Sequence, residues 1–228
     1  MMDAPERKSI LYAACVSPLA DARMYAAACE AVSPGRKGKT DRLQREEARW
    51  RSLGGELLLR YGLREAGLEQ FPAEFVYGPE GKPGLSDGRV RFNLSHSGAW
   101  VICAVSEVEV GCDIQEIRPV DLTLARRFHE EEWADIEAQL GEELKKDCFY
   151  RYWTLKESFM KAVGLGFGLP LKAFRVIPGA RVTVEQSVND RSYSFREFDE
   201  IPGYRCALCL EGEDCDARLE ILDLATLL

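Results

Sequence analysis

The sequence predicts an α+β fold divided into two subdomains. With 228 residues, 46% of them hydrophobic and 30% charged, the chain has the composition of an ordinary globular protein. Roughly 150 residues form a typical domain, so this length suits one large domain or two small ones. Helical and strand-like segments occur on both sides of Arg118 and Pro119, where we place the boundary. We therefore expect one half over residues 1–116 and another over residues 117–228.

The first half is predicted to begin with a strand over Ser9–Val16 and a helical segment that reaches about Val32. The segment 33–39 is rich in glycine, proline and positive charge, and we expect a loop there. From Asp41 to Tyr61 apolar residues recur at helical spacing, and Gly62 is expected to end that helix. A turn-rich loop and three strand-like runs follow, at 79–84, 90–94, 100–105 and 108–114.

The second half is predicted to contain two helical segments, at about 121–139 and 145–163. Five short strands follow, at about 172–177, 181–187, 191–198, 204–210 and 217–222. The segment 164–168 is rich in glycine but follows a helix, whereas glycine loops that bind phosphate precede a helix N-terminus. We therefore expect no nucleotide-binding loop at 164–168.

Charge and cysteine usage restrict the class of protein. Lys and Arg total 30 against 38 Asp and Glu, and the net charge of −8 argues against a general nucleic-acid-binding surface. The apolar stretch 10–16 is much shorter than the ~20 residues of a membrane span. The eight cysteines show no disulfide or zinc spacing, and in a strand Cys206 and Cys209 would face opposite sides. Reduced, mostly buried thiols are expected, and with them a cytoplasmic protein.

Two side chains at the end of a predicted strand could hold a metal ion. Asp113 and Gln115 are two residues apart and therefore project to the same face, while Glu116 projects to the other. Carboxylate and amide oxygens are ligands for a hard cation such as Mg²⁺. The alternative is that these residues are simply solvated at the end of the strand.

A second pattern lies in the predicted helix at 145–163. Trp153, Glu157 and Lys161 are spaced at i, i+4 and i+8, so they share one face of that helix. Glu157 and Lys161 could be an ordinary surface ion pair. Alternatively, the carboxylate binds a metal or takes a proton while the ammonium meets a phosphate.

Two further features could bind phosphate. Ser95 and His96 are predicted to lie in an exposed turn between two strands, although such turns are common without a ligand. A catalytic Ser–His pair is not expected there, because adjacent side chains seldom point at each other. Basic residues cluster against the acidic background and form either a solvated helix face or a phosphate-binding patch. The cluster comprises Arg36, Lys37, Lys39, Arg42, Arg45, Arg49 and Arg51.

The order of these motifs along the chain is more specific than any one of them. Gly-Lys-Pro at 81–83, Asn-Leu-Ser-His-Ser at 93–97 and Gly-Cys-Asp-Ile-Gln at 111–115 precede Trp-Thr-Leu-Lys-Glu-Ser-Phe-Met-Lys at 153–161. Together they resemble the Sfp-type 4′-phosphopantetheinyl transferases, over most of the chain up to about residue 178. The resemblance implies transfer of the phosphopantetheine arm of coenzyme A to a serine of an acyl or peptidyl carrier protein. It also implies a monomeric pseudo-dimer of two similar α+β halves, with the active site in the cleft between them.

The resemblance also implies site residues. Asp113 and Glu157 match metal ligands for Mg²⁺, with Gln115 at the third ligand position. Glu157 is the expected general base, and Lys161 matches the lysine that contacts the phosphates. The positions that match contacts to coenzyme A are Arg36, Lys39, Arg51, Ser52, Gly81, Lys82, Pro83, Ser95, His96, Asp113, Glu157 and Lys161.

The third ligand position departs from the family pattern. Many members carry Glu where this chain has Gln115, so the site has one negative charge fewer, and we expect a raised Mg²⁺ requirement. Two other functions are weighed against transfer. One is a non-catalytic protein that binds coenzyme A or a carrier protein, and the other is a metal-dependent coenzyme A phosphoesterase.

A carrier-protein docking surface is predicted at the start of the second half. Four apolar residues are interspersed there with Arg126 and Arg127, which suits an acidic carrier helix. The alternative is that the apolar members belong to the core. These four residues are Leu122, Leu124, Phe128 and Trp133.

Overall fold

The computed structural model describes residues 9–68, 71 and 74–228. Its helices are α1 (Ala22–Ala31), α2 (Pro34–Asp41), α3 (Glu46–Glu65), α4 (Glu130–Glu137) and α5 (Glu142–Val163). Its strands are β1 (Ser9–Cys15), β2 (Phe75–Tyr77), β3 (Pro83–Leu85), β4 (Arg91–Ser97), β5 (Trp100–Ser106), β6 (Val110–Glu116), β7 (Arg175–Ile177), β8 (Thr183–Glu185), β9 (Tyr193–Phe198), β10 (Tyr204–Glu211) and β11 (Ala217–Leu222). This mixture of helices and mainly antiparallel strands confirms the predicted α+β class.

Two sheets lie side by side at the centre of the molecule. The first has the strand order β11-β1-β5-β4, and only the β1–β11 pair in it is parallel. The second has the order β6-β10-β9 and is antiparallel. Helix α3 packs on the first sheet and α5 on the second, each over its own apolar core. A third apolar core lies between the sheets and includes Leu11, Ile102, Ile114 and Leu208.

The strands are exchanged between the two halves of the chain. Strand β6 precedes residue 117 but pairs with β10 in the second sheet. Strand β11 follows residue 117 but pairs with β1 in the first sheet. The division into two halves at residue 117 therefore stays a prediction. Each of the two sheets contains one strand from the other half of the chain. This exchange ties the two halves together at their junction.

The segment 33–39 was predicted to be a loop, but the structure has helix α2 there. The Ser33 hydroxyl accepts a hydrogen bond from the backbone N–H of Arg36 at 3.2 Å, and Pro34 occupies the first helical position. A serine N-cap followed by proline starts a helix even though Gly35 and Gly38 disfavour one. Capping chemistry therefore outweighs the low helix propensity of this segment.

Two further boundaries differ from the prediction. Helix α3 continues through Gly62 to Glu65. A Cβ atom at position 62 would press against Val105 and the ring of Tyr12, which explains the glycine at this position. Glycine is thus required inside this helix for close packing and does not end it. Ser95 and His96 belong to β4, and the turn between the strands lies at 98–99.

Four of the eight cysteines are buried and four are partly buried, so the expectation of mostly buried thiols holds for half of them. All eight lie in the described part of the chain and are free thiols. Cys206 packs in the core between the sheets and Cys209 in the core under α5, so their side chains do diverge. Within residues 9–68, 71 and 74–228, none of the helices combines the length and apolar character of a membrane span.

Candidate active site between the two sheets

The site is built where α5 crosses β6 at very short range. A Cβ atom on Gly111 of β6 would overlap the carbonyl oxygen of Ser158 and the backbone nitrogen of Ala162 on α5. Only glycine permits this approach. The contact brings Glu157 and Lys161 of the helix next to Asp113 of the strand.

Strand β4 lies beside β6 and is joined to it by side chains. The Asn93 side chain accepts a hydrogen bond from Cys112 N at 2.9 Å, and Ser97 Oγ accepts one from Glu116 N at 3.0 Å. Between them, Ser95 Oγ donates to Asp113 Oδ1 at 2.7 Å. These three residues alternate along β4 and therefore share one face. Our sequence reasoning missed Asn93 and Ser97, although the polar alternation at 93, 95 and 97 indicates a functional face.

Asp113 is the centre of the site. Its carboxylate is almost fully buried and accepts hydrogen bonds from Lys161 Nζ at 2.6 Å and from Gln115 Nε2 at 3.2 Å. Lys161 also donates to the Cys112 carbonyl at 3.0 Å and is 3.1 Å from Ser95 Oγ. Burial acts to lower the pKa of Lys161, but the charges of Asp113 and Glu157 and the hydrogen bond to Asp113 raise it above its ordinary value. Lys161 is therefore a fixed cation.

Glu157 lies on the same side of α5 as Lys161, yet the two do not form the surface ion pair that spacing alone would favour. Lys161 pairs with Asp113 instead. Burial of the Glu157 carboxyl, and then the charge of Asp113, raise its pKa, while Lys161 acts in the opposite direction. No hydrogen bond from the described residues contributes to this shift. Two neighbouring carboxylates thus repel each other, and only one of them has a cation as its partner.

The described residues fit a hard divalent cation with a reduced donor set. Within residues 9–68, 71 and 74–228 there is no group of three His, Cys, Asp or Glu side chains placed to hold a metal. Asp113 and Glu157 supply two carboxylates, and a cation would relieve the repulsion that raises the pKa of Glu157. The third donor would be the amide of Gln115, whose oxygen lies 3.3 Å from Ser97 Oγ. Rotation of that amide would turn its oxygen toward Asp113, and the Ser97 hydroxyl can bond either end.

His96 and Arg51 adjoin this centre on the side of the first sheet. Arg51 reaches from α3 and donates to the carbonyl of Gly98 at 2.9 Å, next to the turn after β4. Partial burial, then the charges of Arg51 and Lys161, lower the pKa of His96. A phosphate bound beside His96 would counteract the charges of Arg51 and Lys161 and favour the protonated imidazole. His96 is therefore a suitable contact for a phosphate.

The remaining predicted contacts occupy α2 and the start of α3. Arg36 Nε donates to Glu56 at 3.1 Å, whereas Lys39 is exposed. Ser52 Oγ and Thr40 Oγ1 are 2.8 Å apart, and this contact holds the end of α2 beside Arg51. Gly81, Lys82 and Pro83 lie in the β2–β3 hairpin. The Lys82 ammonium is directed into the protein and is bound there by three oxygens.

Part of the predicted docking surface belongs to the core. Phe128 is fully buried, and Leu122 and Trp133 pack against the same apolar cluster. Leu124 remains 41% exposed, and the Arg126 guanidinium lies 5.8 Å from the centre of the Trp133 ring. Of the residues predicted for docking, Leu124, Arg126 and Arg127 are exposed, and Leu122 and Trp133 are partly buried.

Comparisons with known proteins agree with this geometry. A family model described as the 4′-phosphopantetheinyl transferase superfamily matches residues 109–209, which contain Asp113, Glu157 and Lys161. The 4′-phosphopantetheinyl transferase Sfp of Bacillus subtilis is 34% identical over 188 residues, which are 80% of this chain and 84% of that protein. This chain belongs to the Sfp-type 4′-phosphopantetheinyl transferase family. The resemblance noted in the sequence is confirmed, and so is the prediction that this phosphopantetheinyl transferase is an enzyme.

Other matches extend across the same chain. The transferase psf-1 of Bacillus pumilus is 33% identical over 179 residues, 75% of this chain and 76% of that protein. A holo-(acyl-carrier-protein) synthase from Bacillus anthracis superimposes with a TM-score of 0.39 at 19% identity, on 46% of this chain and 97% of that one. Sfp and psf-1 thus match parts of both halves, because each covers more of the chain than either half contains, whereas the family model begins just before β6.

Proposed function

We propose that this transferase moves the 4′-phosphopantetheine arm of coenzyme A to a serine hydroxyl of an apo carrier protein. The observation that carries the proposal is the joining of Asp113 on β6 with Lys161 and Glu157 on α5, in a chain of this family. The serine oxygen forms a bond to the phosphorus that bears the pantetheine, and the bond from that phosphorus to the oxygen of the adenosine phosphate breaks. The products are the holo carrier protein and adenosine 3′,5′-bisphosphate.

The side chains of the site have separate roles in this proposal. Glu157 is the base that takes the proton of the attacking serine, because its carboxylate lies beside Asp113 and on the same side of α5 as Lys161. Lys161 neutralises charge on the non-bridging phosphate oxygens in the transition state. Asp113 holds Lys161 in place through the hydrogen bond of 2.6 Å.

Mg²⁺ would be held by Asp113, Glu157 and the amide oxygen of Gln115. Bound there, the ion supplies additional positive charge for the pyrophosphate of the substrate. Because the two carboxylates come from β6 and α5, a cation between them would also fasten these two elements to each other. The finer contacts of the nucleotide with Arg36, Lys39, Arg51, Ser52, Ser95, His96 and the backbone at 81–83 are part of the same proposal.

Intact-mass analysis of an apo carrier protein incubated with coenzyme A and Mg²⁺ tests the transfer directly. Attachment of the arm to serine adds about 340 Da to the carrier. Release of adenosine 3′,5′-bisphosphate without a mass gain would instead indicate a phosphoesterase. Binding of coenzyme A without any product would indicate a non-catalytic protein. Omitting Mg²⁺ in the presence of a chelator should abolish the mass gain.

A further inference from the structure

The ammonium of Lys82 is fully engaged inside the protein. It donates to Glu109 Oε2 at 2.8 Å, to the Val110 carbonyl at 3.0 Å and to the Ala162 carbonyl at 2.9 Å. An ammonium has three donors, so these acceptors use all of them. The side chain is 17% exposed. Lys82 therefore has no free donor for a phosphate, although family resemblance places it among the coenzyme A contacts.

The three acceptors lie at the place where α5 ends against β6. Val110 begins β6, and Ala162 follows Lys161 directly in the last turn of α5. The last four carbonyls of a helix have no partner within the helix, and a cation there also interacts favourably with the helix dipole. Lys82 thus fastens the end of the helix that carries Lys161 to the strand that carries Asp113.

Glu109 fixes the ammonium from the other side. Its second carboxylate oxygen pairs with Arg91 Nε of β4 at 2.9 Å. The carboxylate therefore links Lys82 of the β2–β3 hairpin to the strand that also contains Ser95 and His96. Among the described residues, the ion pairs of the Glu109 carboxylate are those with Lys82 and Arg91.

We propose that Lys82 is a positioning residue, whose ammonium sets the end of α5 so that Lys161 meets Asp113, and that it does not bind substrate phosphate. The proposal rests on the proposed transfer of phosphopantetheine. It leaves room for the backbone at 81–83 to contact the nucleotide. Lys161 acts in the transition state, so a small displacement of it lowers kcat more than it weakens binding of coenzyme A.

Steady-state transfer to a carrier protein by Lys82→Met and Glu109→Gln tests this role, with kcat and the KM for coenzyme A measured separately. The methionine keeps the unbranched apolar stem, and the glutamine keeps the shape of the carboxylate. For both variants we expect kcat to fall roughly tenfold to 100-fold. We expect the KM for coenzyme A to change less than about threefold, since no phosphate contact is lost.

Arg89→Met is the control. It removes an exposed cation that pairs with Asp87 in the segment between β3 and β4, and it leaves Lys82 and its three acceptors in place, so its kcat should stay near that of the wild type. Thermal unfolding of each variant shows whether it is folded under the assay conditions. Glu109→Gln carries the test if Lys82→Met does not fold.

A phosphate-binding role for Lys82 makes opposite predictions. Lys82→Met would raise the KM for coenzyme A by roughly tenfold or more, as expected for loss of a charge-assisted hydrogen bond. Glu109→Gln would release the ammonium toward the substrate and leave kcat unchanged. Either of these results overturns the positioning role. Absence of transfer by the wild-type enzyme would refute the proposed function itself, which is a different outcome.

Discussion

The two long helices of this transferase pack on sheets in similar ways but bury different kinds of residue. The buried face of α3 consists mainly of leucines, at positions 53, 57, 58, 59 and 63, with Glu56 as its buried charge. The buried face of α5 includes Thr154, Lys156, Glu157 and Ser158 among its apolar residues. Burial of charged groups is unfavourable unless they are paired, so the buried charges of α5 need partners on neighbouring elements. A buried polar residue on α5 therefore either takes part in function or fixes the position of the helix.

Two lysines on α5 separate these possibilities. Lys156 is 0% exposed and pairs with Glu132, which is 1% exposed, at 2.7 Å. Burial lowers the pKa of Lys156 to about 8, against the charge and hydrogen bond of Glu132. Lys161 is 25% exposed, and its pKa is raised. Lys156 thus joins α5 to α4 in the core, whereas Lys161 remains partly accessible to solvent.

The largest effect on stability should come from the buried pair. Lys156→Met leaves Glu132 charged and without its cation, so we expect a loss of about 3–5 kcal/mol in the free energy of unfolding, measured by denaturant titration. Lys161→Met should cost less, because Lys161 is itself partly exposed and Asp113 keeps its hydrogen bonds from Ser95 and Gln115, but it should remove transfer activity. Equal loss of stability in the two variants would contradict the distinction between them.

The close crossing of α5 and β6 gives the next largest effect. Gly111→Ala forces the helix and strand apart, and we expect about 1–3 kcal/mol of destabilisation together with loss of transfer. Gly55→Ala is the control on α3, where a Cβ atom meets nothing within 4 Å. There the substitution should stabilise the protein by about 0.5–1 kcal/mol. Thermal unfolding and a transfer assay on both variants measure these effects. Normal activity of Gly111→Ala would refute the requirement for close contact between α5 and β6.

Gln115→Glu tests the third ligand position, which lies on β6. A third carboxylate should lower the Mg²⁺ concentration for half-maximal activity on the order of tenfold. Arg205 lies opposite position 115 on β10, where its guanidinium is already paired with Asp147 of α5. Titration of activity with Mg²⁺ for both proteins measures the effect. The same Mg²⁺ dependence in both would exclude residue 115 as a ligand.

The smallest expected effect concerns His96, beside α3. The imidazole should titrate below its ordinary pKa, because burial and then Arg51 and Lys161 disfavour the charged form. Arg51→Met removes one of these causes and should raise the pKa partway toward the ordinary value. A bound phosphate favours the protonated ring, so affinity for coenzyme A should increase as the pH falls. NMR titration is simple here, since His129 is the other histidine of the chain. An unchanged pKa of His96 in Arg51→Met would show that the charge of Arg51 does not act on His96.

Local rules predict part of this site, and tertiary packing decides the rest. The two-residue period of a strand places Asp113 and Gln115 on one face, and the structure pairs these side chains. The helical period similarly groups Glu157 with Lys161. No local pattern indicates that Gly62 continues α3 against Tyr12, or that the Lys82 ammonium binds Ala162, because both depend on elements distant in the chain. Ser33 followed by Pro34 is a local signal for the start of α2 that the prediction of a loop at 33–39 did not use.

The central claim is that Glu157 on α5 supplies the base for transfer to a carrier serine. Intact-mass analysis with wild type and Glu157→Ala, together with calorimetric binding of coenzyme A to each, tests it most directly. The wild type should add about 340 Da to the carrier. Glu157→Ala should add nothing while it still binds coenzyme A. Transfer by Glu157→Ala at the wild-type rate would contradict the account.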